Sequence, residues 1–250
     1  MEWSILCIGY GLVFCVIAII IFLFSLFTKT TNRNLLFLVS GVLLFEFVLS
    51  LIPEINYIWF GRILCALCCL LFVCLFSSVL TKEESGIAWK VRKSSWVPFL
   101  ILCIIGSGIW MIGEDLESLS DKFDTGKILY QSIVLGIFNE FIYRGVILGL
   151  LNKVFVSRVK VFGASVGWGL LVQAIIFAIV YSFSFDESLH FYFLWAPVIS
   201  AGILGLVTGW LREKSGSIIL PILFYSLSNL FLYLFYLIFV IIALSSPFRF

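Results

Sequence analysis

Asn139-Glu140-Phe141-Ile142-Tyr143-Arg144-Gly145 sets a carboxylate and a guanidinium inside an apolar run that extends from Ile128 to Leu151. As a helix that run is long enough to span a bilayer. A charge near its middle costs roughly 2.5–3.5 kcal/mol on insertion scales, so it needs a partner or a wet cavity. Glu140 and Arg144 stand i,i+4 and share one face. Asn139 lies about 100° round the helix from Glu140 and reaches the same cavity from the side. The pair reads either as an internal neutraliser that staples helices together or as a polar site within the membrane. The second is the default for ionisable groups at such depth.

Working outward, composition agrees with that helix. Apolar residues make up 62% of the 250-residue chain and charged residues 12%. With a mean hydropathy of +1.18, this excludes an ordinary soluble domain, which carries about twice the charge. The expected fold is all-α, a polytopic transmembrane bundle of about eight helices. The apolar segments are roughly 4–27, 35–52, 63–80, 97–112, 128–151, 164–183, 191–210 and 218–244. They follow one another too closely for a linker, so residues 1–250 are expected to form a single membrane domain.

The basic residues give an orientation. Loops one, three, five and seven hold Lys29, Arg33, Lys82, Lys90, Arg92, Lys93, Lys153, Arg158, Lys160, Arg212 and Lys214. The other loops and the termini hold Arg62, Lys122, Lys127 and Arg249. The positive-inside rule then places the odd loops in the cytoplasm and both termini outside, in the cell membrane. The net charge of +2 sits in juxtamembrane clusters suited to anionic lipid headgroups, and no nucleic-acid partner is implied. Met1-Glu2-Trp3 offers no basic n-region, and no small-residue cleavage site follows, so the first helix is expected to be retained.

Other polar features carry less. Cys65, Cys68 and Cys69 share one face of the third helix, with Cys74 on the opposite side. No carboxylate or imidazole stands near them in sequence, so small apolar packing accounts for them better than a metal site. Glu46 in the second helix is expected to be protonated or paired. His190, beside Asp186 and Glu187, reads as an interfacial loop histidine. Glu114, Asp115, Glu117, Asp121 and Asp124 alternate with Leu116, Leu119 and Phe123 as in a short amphipathic outer helix, or as a surface for a cationic partner. Ala201, Gly205 and Gly209 form a small-residue stripe that lets the seventh helix approach a neighbour closely.

Residues 128–235 resemble the CPBP intramembrane protease family, which holds the CAAX prenyl endopeptidases and relatives grouped with abortive-infection and bacteriocin-immunity proteins. The family's Glu-Glu-x-x-x-Arg motif is matched by Asn139-Glu140-x-x-x-Arg144, followed by Gly145. Its Phe-x-x-x-His reads Phe177-x-x-x-Tyr181, and its His-x-x-x-Asn reads Tyr225-x-x-x-Asn229 after Pro221. Gly205-x-x-x-Gly209-Trp210 resembles a further family span. The resemblance implies a membrane-embedded site in which paired glutamates and two histidines activate water and an asparagine helps to hold the oxyanion. The site residues carried over are Glu140, Arg144, Asn229, Asn139, Tyr181 and Tyr225.

The departures shape the expected function. Asn139 replaces the first glutamate, and tyrosines replace both histidines. A phenol with a pKa near 10 is a poor general base at neutral pH, though its hydroxyl can donate to an oxyanion. The zinc ligands of the family pattern are absent, so no cofactor is expected. The leading reading is a pseudo-protease that binds a peptide, a lipidated protein or another membrane partner, in an immunity-type role for example. The alternative is an active glutamate-dependent intramembrane endopeptidase with Glu140 as base and Tyr181, Tyr225 and Asn229 as oxyanion donors. A transporter is a third class, for which no interrupted helix pair or internal repeat speaks.

The six residues are expected to form one closed polar network. By helical rise Glu140 is about 18 Å from the outer end of its helix, whereas Tyr181 is about 25 Å from Ala164 and too far outward. A shared pocket therefore requires the fifth helix to run past Leu151 or the sixth to begin after Ala164.

Overall fold

The computed structural model describes residues 2–50, 59–87, 89–113, 125–185 and 191–245. Eight apolar helical segments are present among them: α1 (Glu2–Phe27), α2 (Leu35–Ser50), α3 (Trp59–Leu75), α4 (Trp96–Gly113), α5 (125–154), α6 (Trp168–Ser182), α7 (Trp195–Ser215) and α8 (Ile219–Ser245). The fold is an all-α helical bundle, and each helix coincides with one of the eight expected segments. Ser132–Val154, Trp195–Ser215 and Ile219–Ile238 are long and apolar enough to cross a membrane by length and composition.

Helix α5 is the axis of the bundle. Every residue from Asn139 to Leu151 is buried, and α2, α3, α6, α7 and α8 all pack on it. It is not uniformly α-helical. Tyr130–Val134 and Glu140–Ile147 adopt the wider π-helical hydrogen-bonding pattern, a local distortion that recurs at functional sites. The second wide stretch begins at Glu140 and contains Arg144.

Several boundaries differ from the sequence reading, and two of them bear on the site. Helix α5 continues to Val154, past Leu151. The expected start of the sixth helix is instead a β-hairpin, in which β1 (Arg158–Val161) pairs antiparallel with β2 (Ala164–Gly167), and α6 begins only at Trp168. Phe162 and Gly163 at the hairpin tip both have positive φ, 47° and 79°, as a two-residue primed turn requires. A second hairpin joins β3 (Phe183–Phe185) to β4 (Phe191–Phe193) between α6 and α7. Apolar runs of this kind do not separate short strands from helix by periodicity. Helix α3 likewise stops at Leu75, before the expected residue 80.

Helix α7 ends at Gly216, whose φ of 73° and N–H to the Arg212 carbonyl form a left-handed cap. Arg212 and Lys214 in its last turn suit the negative end of the helix dipole. The stripe at Ala201, Gly205 and Gly209 does bring α7 against α6: a Cβ on Gly205 would lie 3.0 Å from the Ala174 Cα. Cys65 and Cys69 are buried in the core, and all described cysteines are free thiols. The acidic segment 114–124 and His190 with Asp186 and Glu187 lie outside the described residues.

Candidate functional site

The later start of α6 brings the motif residues level. Counted from Trp168, Tyr181 is about 20 Å along α6, and counted from Val154, Glu140 is about 21 Å along α5. The hydroxyl of Tyr181 duly meets Asn139, whose Nδ2 donates to it. The same amide nitrogen lies 3.3 Å from the Tyr225 hydroxyl on α8. Gly136 permits that approach, since a Cβ there would stand 3.2 Å from the Tyr225 ring and 2.6 Å from Ser226 Oγ. Asn139, Tyr181 and Tyr225 therefore form a neutral cluster at the junction of α5, α6 and α8.

Glu140 and Arg144 form a second, separate cluster. Arg144 Nε is 3.1 Å from Glu140 Oε2, and neither side chain has any exposed surface. Arg144 Nε also donates to Thr208 Oγ1 on α7 at 2.7 Å, and that hydroxyl donates onward to the Leu204 carbonyl at 2.8 Å. The guanidinium lies 4.1 Å above the Phe177 ring, a cation–π contact worth about 2 kcal/mol when desolvated. Phe177 is itself clasped by Tyr143, at 5.0 Å between ring centres, and Tyr181, at 4.5 Å. The motif phenylalanine is thus the floor between the charged pair and the neutral cluster.

Asn229 joins neither cluster. Its Nδ2 donates to the Tyr225 carbonyl one turn back on α8, at 3.0 Å. The single closed network expected from the sequence is therefore two clusters flanking Phe177, with Asn229 turned onto its own helix. The amide competes locally for backbone carbonyls, as asparagine does within helices.

Sequence reasoning missed two polar members. Thr208 sits inside the Gly205-x-x-x-Gly209 span, where the glycines by themselves account for the pattern as close packing. Gln173 stands four residues before Phe177, hence on the same face of α6, and is fully buried. Neither of its amide atoms has a hydrogen-bond partner among the described residues, and the same holds for Glu140 Oε1 and both Arg144 η nitrogens. A lone glutamine within an apolar helix, four residues before a motif phenylalanine, is the signal the sequence offers.

As a metal site the arrangement is a poor fit. It offers one carboxylate already paired with a guanidinium, two neutral phenols and no imidazole, and among the described residues no three His, Cys, Asp or Glu side chains converge. What it can do is bind: the amide, phenols and guanidinium present donors, and Glu140 presents an acceptor, to a polar group brought into an apolar interior.

Below this site, toward the hairpin end of α5, a clamp fixes the helices. Glu213 on α7 accepts from Arg158 at 2.9 Å, Arg212 at 2.8 Å and Asn152 at 2.6 Å. Lys153 bridges Glu84 at 3.1 Å and the Val79 carbonyl at 2.8 Å. Burial would raise the Glu84 carboxyl, but the Thr81 N–H and Lys153 outweigh it and hold the group below its ordinary value.

No curated protein and no solved structure matches the chain. Residues 122–231, which contain all six motif positions, match the family model described as type II CAAX prenyl endopeptidase Rce1-like.

Proposed function

We propose that the protein is a multi-pass membrane pseudo-protease, whose CAAX-endopeptidase-like centre binds a peptide or lipidated segment without hydrolysing it. The observation that carries this reading is the Asn139 amide bridging the Tyr181 and Tyr225 hydroxyls. The positions at which the family places two histidines and a glutamate are occupied by three neutral groups that satisfy one another. Glu140 is ion-paired with Arg144, and a phenol is a poor general base at neutral pH, so the two imidazole bases of the family pattern have no counterpart. An immunity-type role, in which a membrane protein sequesters a peptide, fits such a binder. Both termini outside, with the hairpin and the 76–95 loop in the cytoplasm of a cell membrane, complete the reading.

A second reading, retained endopeptidase activity, draws on Glu140 Oε1, which has no hydrogen-bond partner among the described residues. That oxygen would take a proton from water as hydroxide adds to the scissile carbonyl. Tyrosine hydroxyls would meet the oxyanion, and the proton would pass to the leaving amine.

The test is to incubate purified protein with fluorescent farnesylated and unfarnesylated peptides, measuring anisotropy and cleavage together. Saturable binding of either peptide with intact peptide recovered supports the pseudo-protease. Cleavage by the unaltered chain, lost in Glu140→Gln, moves the assignment to the second reading.

A further inference from the structure

A groove of about 500 Å³ runs along the outside of the bundle between α4 and α7. Pro98, Ile101 and Leu102 form one wall, Leu206, Val207 and Trp210 the other, and Phe162 of the hairpin closes one end. The two helices are antiparallel there: the Arg92 N–H, just before α4, donates to the Ser215 carbonyl at the end of α7. Pro98 therefore faces the Trp210 level and Leu102 the Leu206 level, so the groove runs from the hairpin end toward the middle of α4 and α7.

The closed end is cationic. Lys214 lies one turn beyond Trp210, with its Nζ 5.7 Å from the indole ring and bonded to the Phe162 carbonyl at 2.7 Å. Arg92 reaches the Lys214 carbonyl at 3.4 Å; Lys93, next to it and just before α4, is exposed, and so is Lys160 on β1, two residues before Phe162. The nearest carboxylate in sequence, Glu213, is held by Arg158 and Arg212 and does not neutralise these four. Aromatic side chains mark the interfacial depth. Phe162 is 86% exposed at the positive-φ tip of the hairpin, and Trp89 is 91% exposed, as suits headgroup-level anchors.

We propose that this groove is a specific site for an anionic phospholipid, with one acyl chain lying between α4 and α7 and the phosphate held by Arg92, Lys93 and Lys214. Apolar walls alone would take any lipid. The cluster of cations at the one end where a headgroup must sit selects a net negative charge over a zwitterion, because a choline would meet the same positive groups. The positive end of α4, which opens at the same place, adds to the attraction. The site is separate from the Glu140 centre and stands whether that centre cleaves or only binds.

The experiment is native mass spectrometry of the full chain in mild detergent, titrated with phosphatidylglycerol or phosphatidylcholine. One phosphatidylglycerol is expected to be retained at least fivefold more than phosphatidylcholine. Arg92→Ala with Lys93→Ala should remove that preference, and Arg92→Lys with Lys93→Arg should keep it. Leu206→Trp, which fills the groove from its exposed side, should abolish the retention of either lipid. Ile101→Trp serves the same purpose should the first variant not fold. Equal retention of the two lipids by the parent, or retention untouched by the alanine pair or by the filled groove, overturns the proposal. One-for-one displacement of the lipid by a farnesylated peptide overturns it too, and makes the groove a substrate subsite.

Discussion

Breaking the Glu140–Arg144 pair from one side should cost far more than replacing both members. At 3.1 Å, and with an effective dielectric constant of about 20, the Coulomb attraction is about 5 kcal/mol. Removing one partner of a fully buried pair typically costs about 3–5 kcal/mol, because the other charge is left in low dielectric. Glu140→Gln leaves a guanidinium that cannot lose its proton. Arg144→Met leaves a carboxylate that must take one up, and it also forfeits the Thr208 bond and the Phe177 contact. Each single change should therefore lower the melting temperature in detergent by roughly 6–20 °C, scaling from about 2–4 °C per kcal/mol for a chain of this size. The double variant carries no buried charge and should be no worse than the poorer single. The assay is a double-mutant cycle by thermal unfolding of purified protein, with reversible denaturant unfolding for the free energies. Singles within about 1 kcal/mol of the parent, or costs that simply add in the double, would refute the view that the pair is packed in a shared dry core.

Gly149→Ala should destabilise by about 1–3 kcal/mol through overpacking, because its Cβ would stand 2.9 Å from both the Glu84 carbonyl oxygen and Leu80 Cδ1; chemical denaturation measures it, and a neutral result would mean the 76–95 loop does not seat on α5. Glu84 titrates below its ordinary value of 4.5 when folded, so its contribution is present above that value and fades as pH falls through the lower folded one. Melting temperature measured between pH 3 and 7 should therefore decline at the acid end, and Glu84→Gln should flatten that decline; an unchanged slope would sink the assignment. In a cysteine-free background, single cysteines in loops four and six should react with impermeant thiol reagents on intact cells while those at the β1–β2 hairpin stay silent; the reverse pattern would invert the topology.

Helix existence was legible in the sequence because burial in a bilayer demands long apolar stretches, and eight such stretches stand between charged loops. The motif positions were legible too, as charged or polar residues at helical spacing in places where apolar ones would be cheaper. The ends of the helices were not. Ala164–Gly167 is as apolar as the helix after it, and only pairing with Arg158–Val161 makes it a strand. That pairing delays α6 and sets Tyr181 level with Asn139. Spacing along one helix predicted that Glu140 and Arg144 would meet, since an i,i+4 contact is local. It could not predict that Thr208 would accept from Arg144, that Phe177 would part the charged pair from the tyrosines, or that Asn229 would bond its own backbone. Those outcomes depend on how α5, α6, α7 and α8 rotate against one another. Tertiary packing fixed that rotation, with close approaches at Gly136 and Gly205 deciding which faces meet.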